Sequence, residues 1–368
     1  MGTSKTLIST DANMAGMKSK GVLYPLLGVD FGSQSIKAVA ISGKSKDFKI
    51  TAVAEVPTPK GAIVDYQIND IEKVTTAVKT LVKHVSGGPR YVATSVSGSS
   101  VISKIIQADA NFKDSELSTF VEQEAEQLIP FPLDEISLDY EILGPNLVDA
   151  TKSDVLLSGA KTESVESRQA VFEGVGRTVK VVDIGIHALA RAVKATIPGF
   201  EEAYNEKPVA LVDVGAVTLT FGVMYHGEVI YQRLQSFGGD TLTQNLCQAT
   251  GMAYEDAEKA KVTNRMPGDA KNEIINPFMI QLAQNIKRNV QLFSSSSSHR
   301  DVSAVVLTGG GCLVEGFVDQ MSSLLRMDVK CPDIFKKFPN LKSDTNQMGC
   351  KYMTALGLAL RSFEECPI

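Results

Sequence analysis

The sequence predicts an α/β protein built from two related halves, and three observations carry that expectation. Strand-like runs at 26–30, 36–41 and 48–56 form a meander, followed by a helix and a further strand. The same meander returns at 209–214, 219–225 and 229–235. There Ala210-Leu211-Val212-Asp213-Val214-Gly215 repeats the apolar, acidic and glycine positions of Leu27-Gly28-Val29-Asp30-Phe31-Gly32, an internal duplication. Between the halves, 97–183 changes texture to a β-α-β-β-α-β order, as expected of a small module inserted into the first half.

Each element has a local reason. The run at 26–30 reaches Asp30, turns at Gly32-Ser33-Gln34-Ser35 and resumes at Ile36. Pro57 and Pro59 end the first meander. Ile71, Val74, Val78 and Val82 recur at helical spacing, with Asn69 expected as N-cap and Glu72 completing a capping box. Gly87-Gly88-Pro89 stops that helix before a strand at 91–96. Within the module, strands are expected at 101–108, 137–143, 154–160 and 179–183. Leu117, Phe120, Val121, Ala125 and Leu128 mark one helix there, and 165–175 a second.

A helix at 187–196 leads out, and 201–208 is the expected linker. After the second meander come helices at 241–250, 255–263 and 277–293, and a serine run at 294–298 expected as a loop. A strand at 302–308 and helices at 313–325 and 348–363 follow. The expected organisation is a flexible leader (1–23), a first large domain (24–96 with 184–207) and the inserted module (97–183). A second large domain (208–239 with 301–368) carries a mostly helical subdomain (240–300).

Composition narrows the function. The 368 residues carry 37 Lys and Arg against 42 Asp and Glu, a net charge of −5, and the lysines form no basic stripe, which excludes nucleic acid as the main partner. The 5 cysteines include no CxxC pair, so neither a zinc site nor a disulfide framework is predicted, and a reducing cytoplasm fits. No run approaches a membrane span, so any membrane association is expected through a partner. The 4 histidines are far apart and have no ligand spacing.

Three glycine-marked turns carry the chemistry, each after an apolar run: Asp30-Phe31-Gly32-Ser33, Asp213-Val214-Gly215-Ala216-Val217-Thr218, and Thr308-Gly309-Gly310-Gly311. Backbone N–H groups in such turns form anion-binding nests. A triphosphate needs donors from more than one side and a cation to offset its charge. Ser33 and Ser35 add hydroxyls and Lys37 adds positive charge, while Asp30 and Asp213 suit Mg²⁺ held through waters. The third turn offers bare backbone to a nucleoside. Other nucleotide motifs fail: Gly43-Lys44-Ser45 has the tail of a phosphate loop, but Ala38 stands where its first glycine belongs.

Turns of this kind in this order resemble the actin-like (ribonuclease H-like) ATPase superfamily, whose duplicated domains surround a nucleotide cleft. Within it the chain is similar to the PilM family of type IV pilus assembly proteins over 24–363. Further matching stretches are Glu116-Leu117 with Glu124, Ile129-Pro130-Phe131-Pro132, Phe237-Gly238-Gly239-Asp240-Thr241-Leu242-Thr243, Ile286-Lys287-Arg288 and Ala355-Leu356-Gly357-Leu358-Ala359. The inserted module resembles the small subdomain that this family shares with the division protein FtsA.

The resemblance implies a cytoplasmic protein that binds ATP or ADP with Mg²⁺ and hydrolyses ATP slowly at most. It implies a partner, the N-terminal cytoplasmic tail of PilN, and a place at the inner membrane held through that partner. From there it would link the platform to the pilus motor in fimbrium biogenesis and twitching motility, with nucleotide gating the contact. Self-association stays open.

Carried over by motif, Gly32, Ser33, Gln34, Ser35 and Lys37 form the first phosphate turn, and Asp213, Gly215 and Thr218 the second. Gly238 and Gly239 approach the nucleotide, Gly309, Gly310 and Gly311 lie by the adenosine, and Glu255 with Lys259 face the ribose. The spacing of that last pair equally suits an ordinary surface ion pair. Ala216 and Val217 depart from the further glycines of many relatives, leaving less room beside a γ-phosphate, and no motif marks a catalytic base. A division or cytoskeletal ATPase and a small-molecule kinase of the same superfamily are the alternatives. The acidic, proline-broken end at 361–368 argues against the basic membrane helix of the former.

Overall fold

The structure, a computed structural model, describes residues 22–365 except 86, 270, 298–300, 315, 340 and 342–348. The expected leader lies outside the described residues but for its last two. So do His299, the end of the serine run, the start of the expected closing helix and residues 366–368. Among the described residues no helix is long and apolar enough to cross a membrane. The chain divides into two compact units, Met1–Ala188 with Thr354–Ile368, and Leu189–Met353. This division cuts elsewhere than the expected borders, since the last segment goes with the first unit.

In the first unit, β1 (Leu26–Phe31) is apolar because both its faces are covered: Leu26, Leu27 and Val29 are fully buried. It runs into β2 (Ser35–Lys44) and β3 (Asp47–Pro57), and a short hairpin follows, β4 (Ile63–Val64) with β5 (Gln67–Ile68). Helix α1 (Ile71–His84) buries Val74, Val78 and Leu81. Its N-cap is Asp70, whose side chain accepts from the Lys73 N–H, so the cap lies one residue beyond the expected Asn69, and Lys73 instead of Glu72 stands at the third helical position, where a capping box needs an acid or amide.

Strand β6 (Tyr91–Val96) has the expected bounds. The inserted module then follows as β7 (Val101–Asp109), α2 (Asp114–Leu128), β8 (Ile136–Pro145) and β9 (Lys152–Lys161). Its three antiparallel strands, ordered β7-β9-β8, share a separate core of Ile106, Leu117, Val121, Ala125, Val155 and Leu157.

The last two elements expected in the module belong elsewhere. Helix α3 (Thr162–Glu173) packs on α1, and β10 (Thr178–Ile184) pairs in parallel with β6, giving the large sheet the order β10-β6-β1-β2-β3. Strand order along the chain cannot reveal which sheet a strand joins. The burial of both Val181 and Val182 shows that β10 is covered on two faces. Helix α4 (Gly185–Thr196) follows, and the border between the units falls inside it.

The expected linker holds a short helix, α5 (Phe200–Tyr204). The second meander is β11 (Val209–Val214), β12 (Thr218–Tyr225) and β13 (Glu228–Ser236). His226 and Gly227 form its two-residue turn with both φ angles positive, 49° and 78°. Helices α6 (Gly239–Thr250), α7 (Tyr254–Val262) and α8 (Asn276–Ser296) come next. Ser294, Ser295 and Ser296 extend α8 instead of forming a loop, because each hydroxyl donates to the carbonyl four residues earlier, at 2.8–3.0 Å.

The unit continues as β14 (Ala304–Thr308), α9 (Phe317–Leu325), β15 (Asp328–Lys330) and α10 (Ile334–Lys337). Helix α9 starts later than expected, after a tight 3₁₀ turn at Gly310–Cys312, and the three-residue β15 gave no sequence signal. The sheet order β13-β12-β11-β14-β15 repeats that of the first unit strand for strand.

The closing helix α11 (Met353–Ala359) packs in the first unit along β1. A Cβ at Gly28 would lie 2.0 Å from the Ala355 carbonyl oxygen, and one at Gly357 would lie 1.7 Å from that of Ala188. Only glycine permits either approach.

Candidate nucleotide-binding turns

The duplication extends to single hydrogen bonds. In the first unit Gly32 N–H donates to Ser35 O at 3.1 Å, and in the second Gly215 N–H donates to Thr218 O at 2.9 Å. The strand registers agree as well: Asp30 opposes Lys37, and Asp213 opposes Thr220. A Cβ at Gly32 would lie 2.8 Å from Ser35 O, and one at Gly215 would lie 2.9 Å from Thr218 O, so each turn closes only on a glycine.

The first turn is braced from the end of β3. Thr58 Oγ1 donates to Gly32 O at 2.7 Å and Thr58 N–H to Gln34 O at 3.1 Å. The N–H groups of Ser33 and Gln34 enter none of the turn's hydrogen bonds. Asp30 stands 3.9 Å from Lys37 Nζ, which also donates to Ser35 O at 3.3 Å. Burial pushes the Asp30 carboxyl up, while Lys37 and Arg168 pull it down.

Arg168 gave no sequence signal. It projects from α3, is fully buried and donates to three carbonyls: Ser95 at 2.7 Å, Ser164 at 2.6 Å and Tyr66 at 2.8 Å. Its guanidinium lies 5.8 Å from the centre of the Phe31 ring. Burial lowers its pKa to about 10, with Asp30 opposing that shift.

The second turn is braced by a helix start. Gly239 N–H donates to Gly215 O at 2.9 Å and Asp240 N–H to Ala216 O at 2.8 Å. A Cβ at Gly238 would lie 2.3 Å from Ala216 O, so this glycine is required by the close approach of α6 to the turn. Asp213 accepts from the Thr308 hydroxyl at 2.9 Å.

The third turn lies on the second. Gly309 has a φ of +92°, and a Cβ there would meet Val214 O at 2.4 Å and Asp213 Oδ1 at 2.9 Å. At Gly311 a Cβ would meet the Val214 side chain at 2.4 Å, whereas Gly310 faces open space. The structure therefore brings Asp213, Gly215, Thr218, Gly238, Gly239 and Gly309–311 together in one unit, and Asp30, Gly32, Ser33, Gln34, Ser35 and Lys37 together in the other.

Glu255 and Lys259 are exposed on α7. The side chains that reach the glycine turns come from the same helix in another register. Lys261 donates to Gly239 O at 3.1 Å, to Thr243 Oγ1 at 2.7 Å and to Glu258 at 2.5 Å, and Glu258 also accepts from Thr243. Four-residue spacing favoured the first pair. The three-residue pair Glu258–Lys261 is equally regular, and what the sequence does not show is its reach to Thr243 and Gly239 on the preceding helix. Among the described residues no cluster of three or more His, Cys, Asp or Glu side chains could hold a metal ion, so any cation here would be held by few protein groups.

Two copies of one five-stranded sheet, each opening at a glycine turn beside an acidic residue, define an actin-like α/β protein. The family model for type IV pilus assembly protein PilM matches residues 28–363, and the chain belongs to that family. It is 23% identical to a chain in the structure of a PilM-PilN type IV pilus biogenesis complex. The likeness covers 93% of this chain and 100% of that one with a TM-score of 0.79. Ethanolamine utilization protein EutJ from Carboxydothermus hydrogenoformans shares the fold at 17% identity and a TM-score of 0.58, covering 92% of each chain. A diol dehydratase-reactivating factor, in nucleotide-free form, shares it at 9% identity and a TM-score of 0.55, covering 92% of this chain and 99% of that one.

Proposed function

We propose that this pilus assembly protein is a nucleotide-gated adaptor. It binds ATP or ADP, engages the N-terminal cytoplasmic tail of PilN, and joins the inner-membrane platform to the motor from the cytoplasmic side. The observation that carries the nucleotide part is the pair of matched turns, each closed by a glycine N–H to the carbonyl three residues on. The first turn offers the N–H groups of Ser33 and Gln34 with the Lys37 charge, and the second offers the backbone from Gly215 to Thr218. Gly310 is the bare backbone a nucleoside would meet, while Gly309 and Gly311 seat the turn. Lys261 and Glu258 favour the sugar more than Glu255 and Lys259 do, because they reach Gly239.

The donor set fits magnesium held largely by phosphates and water. Of the two carboxylates, Asp30 already faces Lys37 and Arg168, so the candidate holder is Asp213, which lies beside the third turn and accepts from the Thr308 hydroxyl. The cation would offset phosphate charge. Gating has a physical route in Arg168, which ties α3, next to the inserted module, to Asp30 and Phe31 at the first turn.

The partner reading rests on family membership and on the PilN chain in the similar complex. Calorimetric titration with a peptide of the PilN tail, with and without Mg·ATP, tests both parts. Binding that shifts several-fold with nucleotide is expected. No binding overturns the partner reading, and equal binding overturns gating.

A further inference from the structure

We propose that the end of the first unit opposite its glycine turn is a docking surface for an anionic lipid bilayer, on which the protein adsorbs without inserting.

The fold gathers at this end cations that are scattered along the chain. Strands β1, β6 and β10 run parallel and start level with one another, Leu26 beside Tyr91 and Tyr91 beside Thr178. Gly32 follows the other end of β1, about 20 Å away. The β2–β3 hairpin returns past the start of β1. Beyond Ala40, the last position paired with that strand, it projects to Lys44 opposite Asp47. Gly43 closes the tip tightly: its φ is +102°, and a Cβ there would lie 2.6 Å from Asp47 O. Lys44, Lys46 and Lys49 are exposed on this tip. Helix α1 packs on β2 and β3 and ends here too, because its last turn leads through Gly87-Gly88-Pro89 into Tyr91. There Lys79, Lys83 and Arg90 are exposed.

The charged groups of these six residues form no ion pair or hydrogen bond among the described residues. Arg177 adds charge, since its Nη1 donates to neutral carbonyls, those of Gly88, at 3.1 Å, and Pro89. The exposed acids at this end, Asp47, Glu173 and Glu365, are fewer, and Glu364 is engaged by buried Arg361 at 3.0 Å. The chain as a whole carries a net charge of −5, so the excess of cations is local.

A second observation points to lipid. Val22 and Leu23, just before β1, are 39% and 57% exposed. Beside them the Tyr24 and Tyr91 rings meet edge to face at 4.9 Å, with Lys180 Nζ 5.1 Å and 5.9 Å from their centres. Tyrosine and lysine carry apolar bodies and polar tips, which suit the headgroup layer of a bilayer. Cations spread over a hairpin, a helix end and a loop match a continuous sheet of phosphate charge, and the apolar pair between them gains by leaving water.

Purified full-length protein is sedimented with vesicles, without PilN, so the outcome is independent of the partner and nucleotide readings. Vesicles of phosphatidylglycerol and phosphatidylethanolamine should carry it down, and vesicles of phosphatidylcholine alone should not. Raising salt from about 0.1 M to about 0.5 M should release it, as the Debye length shrinks. The variant K44Q/K46Q/K49Q should bind about a hundred-fold more weakly, each lysine at such a surface being worth about five-fold. The variant K60Q/K104Q/K113Q loses the same charge from exposed sites elsewhere in the unit and should bind close to wild type. The chain has no Trp, so Leu23→Trp supplies a single reporter whose emission should shift to the blue on the anionic vesicles. Equal sedimentation with both vesicle types, none with either, or equal behaviour of the two triple variants overturns the proposal. A Trp spectrum unmoved by vesicles that do sediment the protein overturns this end as the contact. Binding to soluble polyglutamate without binding to vesicles assigns the surface to an acidic protein instead, and overturns the lipid reading.

Discussion

The two turns share strand register, closing hydrogen bond and acidic residue, yet they are secured by different chemistry. Around Asp30 the first unit places two cations, Lys37 and buried Arg168. Around Asp213 the second unit places a hydroxyl, a helix start and glycines pressed onto Val214. The contrast extends further: among the described residues, the fully buried charged residues Arg168, Asp183 and Arg361 all belong to the first unit. Duplication thus preserved the backbone device while the side chains behind it diverged. One copy is positioned by charges set around its acid, and the other by steric fit at its glycines, with the Lys261–Glu258 pair behind the helix start.

The strongest test of that contrast is Arg168→Met. It should cost the first unit about 3–5 kcal/mol, because Asp30 and the carbonyls of Ser95 and Tyr66 lose their buried partner. Chemical denaturation measures it, and a loss under about 1 kcal/mol would break the comparison. Next, Gly309→Ala should destabilise the second unit by about 2–4 kcal/mol through its positive φ and the collision with Val214 O. Gly310→Ala, with open space around it, should leave the thermal midpoint unchanged and weaken nucleotide binding alone.

The acids should then part company. Asp30→Asn should lower stability by about 1–3 kcal/mol through loss of the counter-charge to Arg168. Asp213→Ala should keep the fold and weaken Mg·ATP by about ten-fold in calorimetry. Unchanged affinity for the Asp213 variant would remove the carboxylate from the site.

The smallest effect is a pH dependence confined to the charged unit. Burial raises the Asp139 carboxyl from 3.8 to about 7; the Tyr140 N–H and Arg361 oppose the shift and Glu141 adds to it. A raised acid stabilises the fold most below its unfolded value, and that contribution is lost as pH climbs through about 7. Moving from pH 8 to pH 6 should therefore raise the first unit's melting temperature by roughly 2–4 °C. Asp139→Asn should flatten that slope in a calorimetric scan.

What the sequence disclosed follows the same division. Strands of the central sheets were legible because burial on two faces demands unbroken apolar runs, and 91–96 and 209–214 were read to the residue. The glycine turns were legible because backbone closeness leaves one residue type no substitute. Arg168 was not, since a single arginine in Ser164-Val165-Glu166-Ser167-Arg168 looks like a solvated helix position. Nor was the sheet that β10 joins, which depends on pairing across 82 positions of chain from Val96 to Thr178 and not on any local pattern. The cap at Asp70 was missed by one residue because Asn69 is an equally good capping side chain. The serine run misled because serine's hydroxyl serves a loop or a helix end equally well.

The fit of the closing helix against β1 and α4 imposes an order in time on making this protein. Gly28 and Gly357 touch elements more than 150 positions away along the chain, so the first unit's core stays open during most of synthesis. The second unit, contiguous in sequence, can complete its own core as soon as it has left the ribosome. Until Leu358 arrives beside Leu26, Ala93 and Val181, those apolar faces remain exposed to chaperones and to other nascent chains.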